Sequence, residues 1–207
     1  MSLNATRRIR EARIGHGREE NTMRGFLVWC AVFVTSGLVG AQSVEQQITE
    51  ALLPAPESLR SDATVITRDT QGLPSVLRQG ANSLVCEPDG PRPGFAVECY
   101  HRSFQGVMDW TAERLLANPR TFDEMFVDGG PNVEVSPGAM QYAFVGPTRD
   151  QASFSLSIHL PFATAESTGL PTEERYEGPW LMWAGTSAAH IMFGPIPPGL
   201  PFDYPGR

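Results

Sequence analysis

The segment "SFSLSIHLPF" (153–162) has the most regular hydrophobic alternation in the chain and decides the fold class. Every second residue from Phe154 to Phe162 is apolar, while three serines and His159 occupy the alternate positions. A period of two is typical of a β-strand with one buried face and one wetter face. We therefore expect a strand that packs its apolar side chains into a core and leaves His159 solvated or facing a ligand.

Other strand-like segments flank this one on both sides. "MQYAFVG" (140–146) precedes it, and "PWLMWAG" (179–185) and "AHIMFG" (189–194) follow it. The last two are apolar on both faces, which predicts the central strands of a tight hairpin. Nearer the N-terminus, β-branched runs at 63–67 and 74–78 enclose turn residues and predict a second hairpin.

Three segments show helical spacing instead, at 44–52, 103–119 and 121–127. Ser103 is placed to cap the second helix, and Asn118-Pro119 is expected to end it. Together with the strands, these patterns predict a single, mainly β domain of the α+β class, with two or three helices and an antiparallel sheet.

The N-terminal part of the chain has the pattern of an export signal. Residues 26–40 form a charge-free apolar run that follows Arg24 and ends in small residues. The run is shorter than the roughly 20 residues of a membrane-spanning helix. We therefore predict a signal peptide with a polar leader at 1–41, with export to the periplasm or the extracellular space. An uncleaved anchor is the alternative, and Met23 competes with Met1 as the start.

The remaining chain divides into a globular part at 42–193 and a proline-rich tail at 194–207. Of the 16 basic and 23 acidic residues in the chain, 10 and 20 lie beyond residue 41. Such an acidic surface repels phosphate backbones, so we expect no nucleic-acid partner. We also expect no membrane span after residue 41.

Cys86 and Cys99 are the two cysteines that follow the predicted signal peptide. In an exported chain such a pair predicts a disulfide, which would hold the loop at 87–94, rich in proline and glycine. Closing a loop of this length stabilises a fold by roughly 3 kcal/mol in the chain-entropy model. A metal site that uses both thiolates is the alternative.

His159 and His190 are the candidate metal ligands. If their strands are neighbours, the two imidazoles lie on one face, where His101 or Asp109 would add a third ligand. Three protein ligands and a water form the donor set of a catalytic zinc site, which predicts a metal-assisted hydrolase as one function. The other interpretation needs no cofactor: His159 is exposed, and His190 is half-buried and hydrogen-bonded to the backbone.

Trp180, Trp183 and His190 are the candidate ligand-binding residues. Aromatic side chains of this kind line apolar or glycan-binding grooves, and they equally form core. Because the sequence contains no dense catalytic signature, we favour a non-enzymatic extracytoplasmic module that binds a protein partner or a small ligand. A hydrolase that uses a divalent metal such as zinc is the alternative.

Two stretches, "VLRQGANSLVCEPDGPRPG" (76–94) and "GPWLMWAGTSAAHIMFGP" (178–195), resemble motifs of a family of exported bacterial proteins. The shared patterns are VLR-x-G-x-N-x-x-x-C-x-P and GPW-x-MW-x-GT…AHIM. The resemblance implies export and a common fold. Because the family has no established activity, it implies no catalytic or binding residue.

Overall fold

Eight strands form one sheet in the computed structural model, which describes residues 42–117, 131, 133–175 and 178–198. The strands are β1 (Thr64–Arg68), β2 (Pro74–Arg78), β3 (Leu84–Glu87), β4 (Phe95–His101), β5 (Met140–Gly146), β6 (Ser153–His159), β7 (Trp180–Met182) and β8 (His190–Ile196). Their order across the sheet is β2-β1-β3-β4-β5-β6-β8-β7. Several predictions lie outside the described residues: the signal peptide at 1–41, the helix end at Asn118-Pro119, the helix at 121–127 and the last nine residues of the tail.

Neighbouring strands run antiparallel, except for β1 and β3, which are parallel. The predicted mainly β fold class is therefore confirmed, with a mixed rather than a purely antiparallel sheet. The parallel pair arises because the chain leaves β2, passes the start of β1 and enters β3 on the other side.

Gly80 lies where this connection passes the start of β1. A Cβ atom at this position would lie 2.3 Å from the carbonyl carbon of Ala63, so a larger residue requires a shift of the backbone. Asn82 fixes the same corner: its amide donates to the carbonyl of Leu59 (2.8 Å), and its side-chain oxygen accepts from the Leu84 amide (2.9 Å). The glycine and the asparagine of the first motif thus have structural roles.

Four α-helices are present among the described residues: α1 (Val44–Ala51), α2 (Glu57–Arg60), α3 (Gln105–Ala117) and α4 (Ala165–Thr168). The helices predicted at 44–52 and 103–119 correspond to α1 and α3. A 3₁₀ turn at Arg102–Phe104 precedes α3, and its cap is His101 rather than the predicted Ser103, because the His101 ring accepts from the Ser103 amide (3.2 Å). None of the described helices has the length and hydropathy needed to span a membrane.

The side chains of β4 alternate between the two faces of the sheet. Phe95, Val97 and Cys99 belong to the core that also contains Ala51 of α1. On the opposite face, Tyr100 belongs to a second core with residues of the 3₁₀ turn and α3, namely Phe104, Val107 and Met108. Helices α1 and α3 therefore cover opposite faces of the sheet.

Strand β7 lies at one edge of the sheet, so the prediction that both strands of the last hairpin are central is wrong for this strand. Trp180 and Leu181 are nevertheless 6% and 1% exposed. A strand that is apolar on both faces is buried on both faces, but this burial does not require a central position, because β7 is an edge strand.

The ends of β6 and β8 also differ from the prediction. Strand β6 stops at His159, and Phe162 is 67% exposed at a residue with positive φ. Strand β8 continues to Ile196, three residues beyond the predicted domain boundary at 193. The periodic pattern shows which residues share a face, but not where strand pairing ends.

Cys86 and Cys99 form the predicted disulfide, with their sulfur atoms 2.08 Å apart. They are directly opposite each other in the antiparallel pair β3–β4. Residues 88–94, which connect the two strands, have no regular structure, as predicted. The disulfide thus fixes the register of this hairpin.

Candidate functional site

Two glutamates lie side by side because of the strand register that the disulfide fixes. Because Cys86 is opposite Cys99, the next pair along the strands is Glu87 and Glu98. Side chains directly opposite each other in an antiparallel pair emerge on the same face and lie close together. The carboxylates therefore share the face that α3 covers, away from the two sulfur atoms.

Arg68 neutralises the first of these glutamates. Its guanidinium donates twice to the Glu87 carboxylate (2.7 and 2.9 Å), once to Asp109 Oδ1 (2.8 Å) and once to the Gly72 carbonyl (3.0 Å). Burial lowers the pKa of Arg68, but the hydrogen bond and the charge of Glu87 outweigh burial and raise it above its ordinary value. All three guanidinium nitrogens donate hydrogen bonds, and through them Arg68 of β1 connects to β3 and to α3.

Tyr100 and Gln105 extend this network. The Tyr100 hydroxyl donates to Glu87 and lies 3.2 Å from Gln105 Oε1, while Gln105 Nε2 donates to Asp109 Oδ1 (2.9 Å). Burial, followed by the charge of Glu87, raises the pKa of Tyr100 well above its ordinary value of 10.0. The phenol therefore stays protonated and holds Glu87 in place.

Glu98 has weaker partners than Glu87. It is 7% exposed, its Oε2 accepts from Gln141 Nε2 (3.2 Å), and its Oε1 lies 3.5 Å from Arg92 Nη2. Burial raises the pKa of Glu98, and Glu87 adds to this effect, while Arg92 and Gln141 partly oppose it. The negative charge of this carboxylate is therefore only partly compensated by the protein.

An open cleft lies beside these side chains, between residues 88–94 and α3. Its polar walls are formed by Arg68, Asp69, Glu87, Arg92, Glu98 and Thr111. The Thr111 hydroxyl is buried and has no hydrogen-bond partner among the described residues. Since an unsatisfied buried polar group costs about 1–3 kcal/mol, this hydroxyl lowers the stability of the wall of the cleft.

The cleft carries more negative than positive charge. Two arginines and three carboxylates line it, and one of the arginines, Arg68, is shared with a further carboxylate, Asp109. The ion pairs of the described residues give Glu98 one cationic partner, Arg92. A bound cation therefore improves the charge balance of the cleft, whereas an anion worsens it.

Among the residues of the cleft and its hydrogen-bond network, only Asp109 was a candidate from the sequence. It was predicted as a metal ligand, whereas in the structure it binds Arg68. One signal in the sequence leads to the cleft. A disulfide between directly opposite residues of a hairpin places the residue after Cys86 opposite the residue before Cys99. These residues are Glu87 and Glu98.

The structure also brings together the two sequence-predicted histidines. His159 and His190 are directly opposite each other on β6 and β8, and their ring centres are 5.0 Å apart. The Phe104 ring lies 4.0 Å from the His159 ring, and the Trp183 ring lies edge-on at 5.0 Å from His190. Aromatic rings thus enclose the pair from two sides.

Both histidines are buried, so the interpretation of His159 as exposed and of His190 as half-buried is wrong. His159 is 1% and His190 4% exposed, because Phe104 covers the face that the alternation of β6 marks as polar. His190 Nδ1 donates to the Ala188 carbonyl (2.7 Å), as the backbone-bonded interpretation predicts. Neither ring nitrogen of His159 has a hydrogen-bond partner among the described residues.

Burial keeps both imidazoles neutral at physiological pH. It lowers the pKa of His159 to about 3, with a smaller contribution from His190. It lowers the pKa of His190 to about 4, and the bond to the Ala188 carbonyl opposes this shift. The pair therefore offers neutral nitrogen donors rather than positive charges.

Neither predicted third metal ligand joins the pair. His101 Nδ1 lies 2.9 Å from Ser103 Oγ, and Asp109 is bound to Arg68. In the part of the chain that the structure describes, no three His, Cys, Asp or Glu side chains are grouped for metal binding. Of the three protein ligands that the hydrolase hypothesis requires, the structure therefore brings together only His159 and His190.

The two sequence-predicted tryptophans have different environments. Trp180 is buried, and its indole donates to the Gly194 carbonyl (3.0 Å), so it acts as core. Trp183 follows β7 with a φ of 52° and packs against the α3-side core. Trp183 and His190 therefore meet, whereas Trp180 contributes to the position of β8.

The chain matches no protein-family model, no curated protein and no solved structure. The resemblance to exported bacterial proteins therefore stays a prediction. The geometry of the cleft and of the histidine pair is the basis for the function proposed below.

Proposed function

We propose that the protein is an exported, non-enzymatic module that binds a small cationic molecule in the cleft between residues 88–94 and α3. The observation that carries the proposal is Glu98, a buried carboxylate beside a second carboxylate, with its cationic partner Arg92 at 3.5 Å. The ligand class that fits is a small molecule with an amine or guanidinium group.

Arg92 supports this choice of ligand. Its side chain is 34% exposed and belongs to a connection rich in proline and glycine. An amine or guanidinium that enters the cleft can take the position of the Arg92 guanidinium and make shorter, charge-assisted hydrogen bonds to Glu98.

Export is proposed from the signal pattern at 1–41, and the disulfide supports it. Disulfides persist in oxidising compartments and are rare in the cytosol. The charge of the chain beyond residue 41 fits a cationic ligand, because acidic residues outnumber basic ones there by 20 to 10. A field of this sign attracts cations to the surface.

Calorimetric titration of the purified protein with butylguanidinium tests the proposal. Butylurea, which has nearly the same shape and no charge, is the matched control compound. We expect the guanidinium to bind and the urea to give no heat of binding. Glu98→Gln is expected to weaken binding by about tenfold or more, because it removes the charge at nearly constant size.

Glu50→Gln is the matched control variant. Glu50 is also 7% exposed, and it lies 3.7 Å from Arg149, but it belongs to α1 on the opposite face. We expect it to leave butylguanidinium binding unchanged. Equal weakening by Glu98→Gln and Glu50→Gln, or equal binding of butylurea, would contradict the proposal.

The same titration has an expected pH dependence. Because the pKa of Glu98 lies above its ordinary value of 4.5, its carboxylate takes up a proton at a higher pH than an exposed glutamate does. Protonation removes the charge that attracts the ligand, so binding weakens as the pH falls through this range. In Glu98→Gln this dependence is expected to disappear.

A further inference from the structure

A second site lies where β6, β8 and β7 meet the start of α3. We propose that His159, His190 and Met182 bind a soft monovalent cation, copper(I). None of these residues lines the cleft, so the two proposals can fail independently.

The nitrogen lone pairs of both imidazoles are available to a metal. A carbonyl can only accept a hydrogen bond, so the 2.7 Å contact with Ala188 places the proton of His190 on Nδ1 and leaves the lone pair on Nε2. Metal-binding histidines are usually oriented by a bond of this kind from the other ring nitrogen. His159 is 1% exposed and has a lone pair with no donor among the described residues.

The separation of the rings fits one shared ion. The ring centres are 5.0 Å apart. If each metal–nitrogen bond is about 2.0 Å long and lies on the line from the ring centre through the nitrogen, the nitrogen–metal–nitrogen angle is roughly 105°. A bent arrangement of two imidazoles leaves one side of the ion open to a further ligand.

Met182 is placed to supply that ligand. It is directly opposite His190 on β7, just as His159 is directly opposite His190 on β6. Opposite residues of neighbouring strands emerge on the same face, so the three side chains form one row across three strands. A thioether is a soft donor that selects copper(I), and imidazole also suits copper.

The charge of the surroundings favours a monovalent ion. All three donors are neutral, and Phe104 and Trp183 lie next to the two histidine rings. No Asp, Glu or Cys joins the histidines in a group of three within the described residues. Because burying an uncompensated charge is costly, and more so for a dication, copper(I) fits this site better than Zn²⁺.

Anaerobic titration with copper(I) in competition with bicinchoninate tests the proposal on the full chain. We expect one copper(I) per chain to be withheld from the chelator. Met182→Leu, which keeps the size of the side chain, is expected to weaken binding by at least about tenfold, a loss seen even for residues that only support metal ligands. Met140→Leu is the matched control, because Met140 packs against the core on the opposite face.

X-ray absorption of the copper-loaded wild-type protein provides a readout that does not depend on folding of a histidine variant. Two nitrogen neighbours and one sulfur neighbour are expected. The proposal is overturned if the protein withholds no copper(I), if both methionine variants bind equally, if sulfur is absent from the spectrum, or if equimolar Zn²⁺ displaces copper(I). Lack of butylguanidinium binding would contradict the cleft proposal alone.

Discussion

Thr111 and His159 are buried side chains whose polar atoms have no hydrogen-bond partners among the described residues. Such atoms reduce stability, since water satisfies them in the unfolded chain and nothing described replaces it in the folded chain. Thr111 lines the cleft and His159 belongs to the proposed copper(I) site, whereas another such atom, Glu50 Oε2, belongs to a residue that lines a different groove. At the scale of single residues, each of these atoms is an existing cost in stability.

Thr111→Val is expected to stabilise the ligand-free protein by about 1 kcal/mol, because it removes an unsatisfied buried hydroxyl with little change in shape. Thr186→Val is the control. The Thr186 hydroxyl donates to the Trp183 carbonyl (2.8 Å) and accepts from the Ala188 amide (3.2 Å), so its loss is expected to destabilise by a similar amount. Urea unfolding measures both. A loss of stability in Thr111→Val would show that its hydroxyl is satisfied in the folded protein.

The β3–β4 hairpin is the element that builds the cleft, because it carries both glutamates, the disulfide and the connection that includes Arg92. Neither of its strands was predicted from the sequence.

The other six strands and helices α1 and α3 were predictable, since alternation and helical spacing are local properties, as at 140–146 and in α1. The edge position of β7 and the parallel pair β1–β3 were not. Strand order depends on contacts between distant segments, which local periodicity does not record.

Reduction of the Cys86–Cys99 disulfide is expected to destabilise the protein by roughly 3 kcal/mol, as the chain-entropy model gives for a loop of this length. It should also weaken butylguanidinium binding, because the disulfide holds Glu87 opposite Glu98. Urea unfolding with and without reductant measures the first effect. The double variant Cys86→Ala/Cys99→Ala controls for side effects of the reductant, and an unchanged unfolding midpoint on reduction of the wild type would refute the structural role.

At the scale of the whole molecule, both proposed sites lie on the α3 face of one sheet. Tyr100, which holds Glu87, lies edge-on to Phe104 at 6.2 Å, and Phe104 lies 4.0 Å from His159. Strand alternation predicted that the two histidines share a face if their strands are neighbours. The pairing of β6 with β8 and the burial of both rings did not follow from it, because the first depends on strand order and the second on Phe104. The cleft was not predictable, because its residues come from four separate elements: β1, β3, β4 and α3. In addition, no sequence pattern shows whether a charged residue such as Arg68 is buried in an ion pair or solvated.

Mapping of backbone amide chemical shifts during titration with butylguanidinium tests the central claim most directly, because it locates the bound cation. We expect the largest saturable shifts in residues 88–94, around Glu98 and around Thr111, and only small shifts in Glu98→Gln. A second acidic groove, lined by residues that include Glu45, Glu50 and Arg149, provides the contrast. The largest shifts in that groove, or no saturable shift at all, would contradict the account.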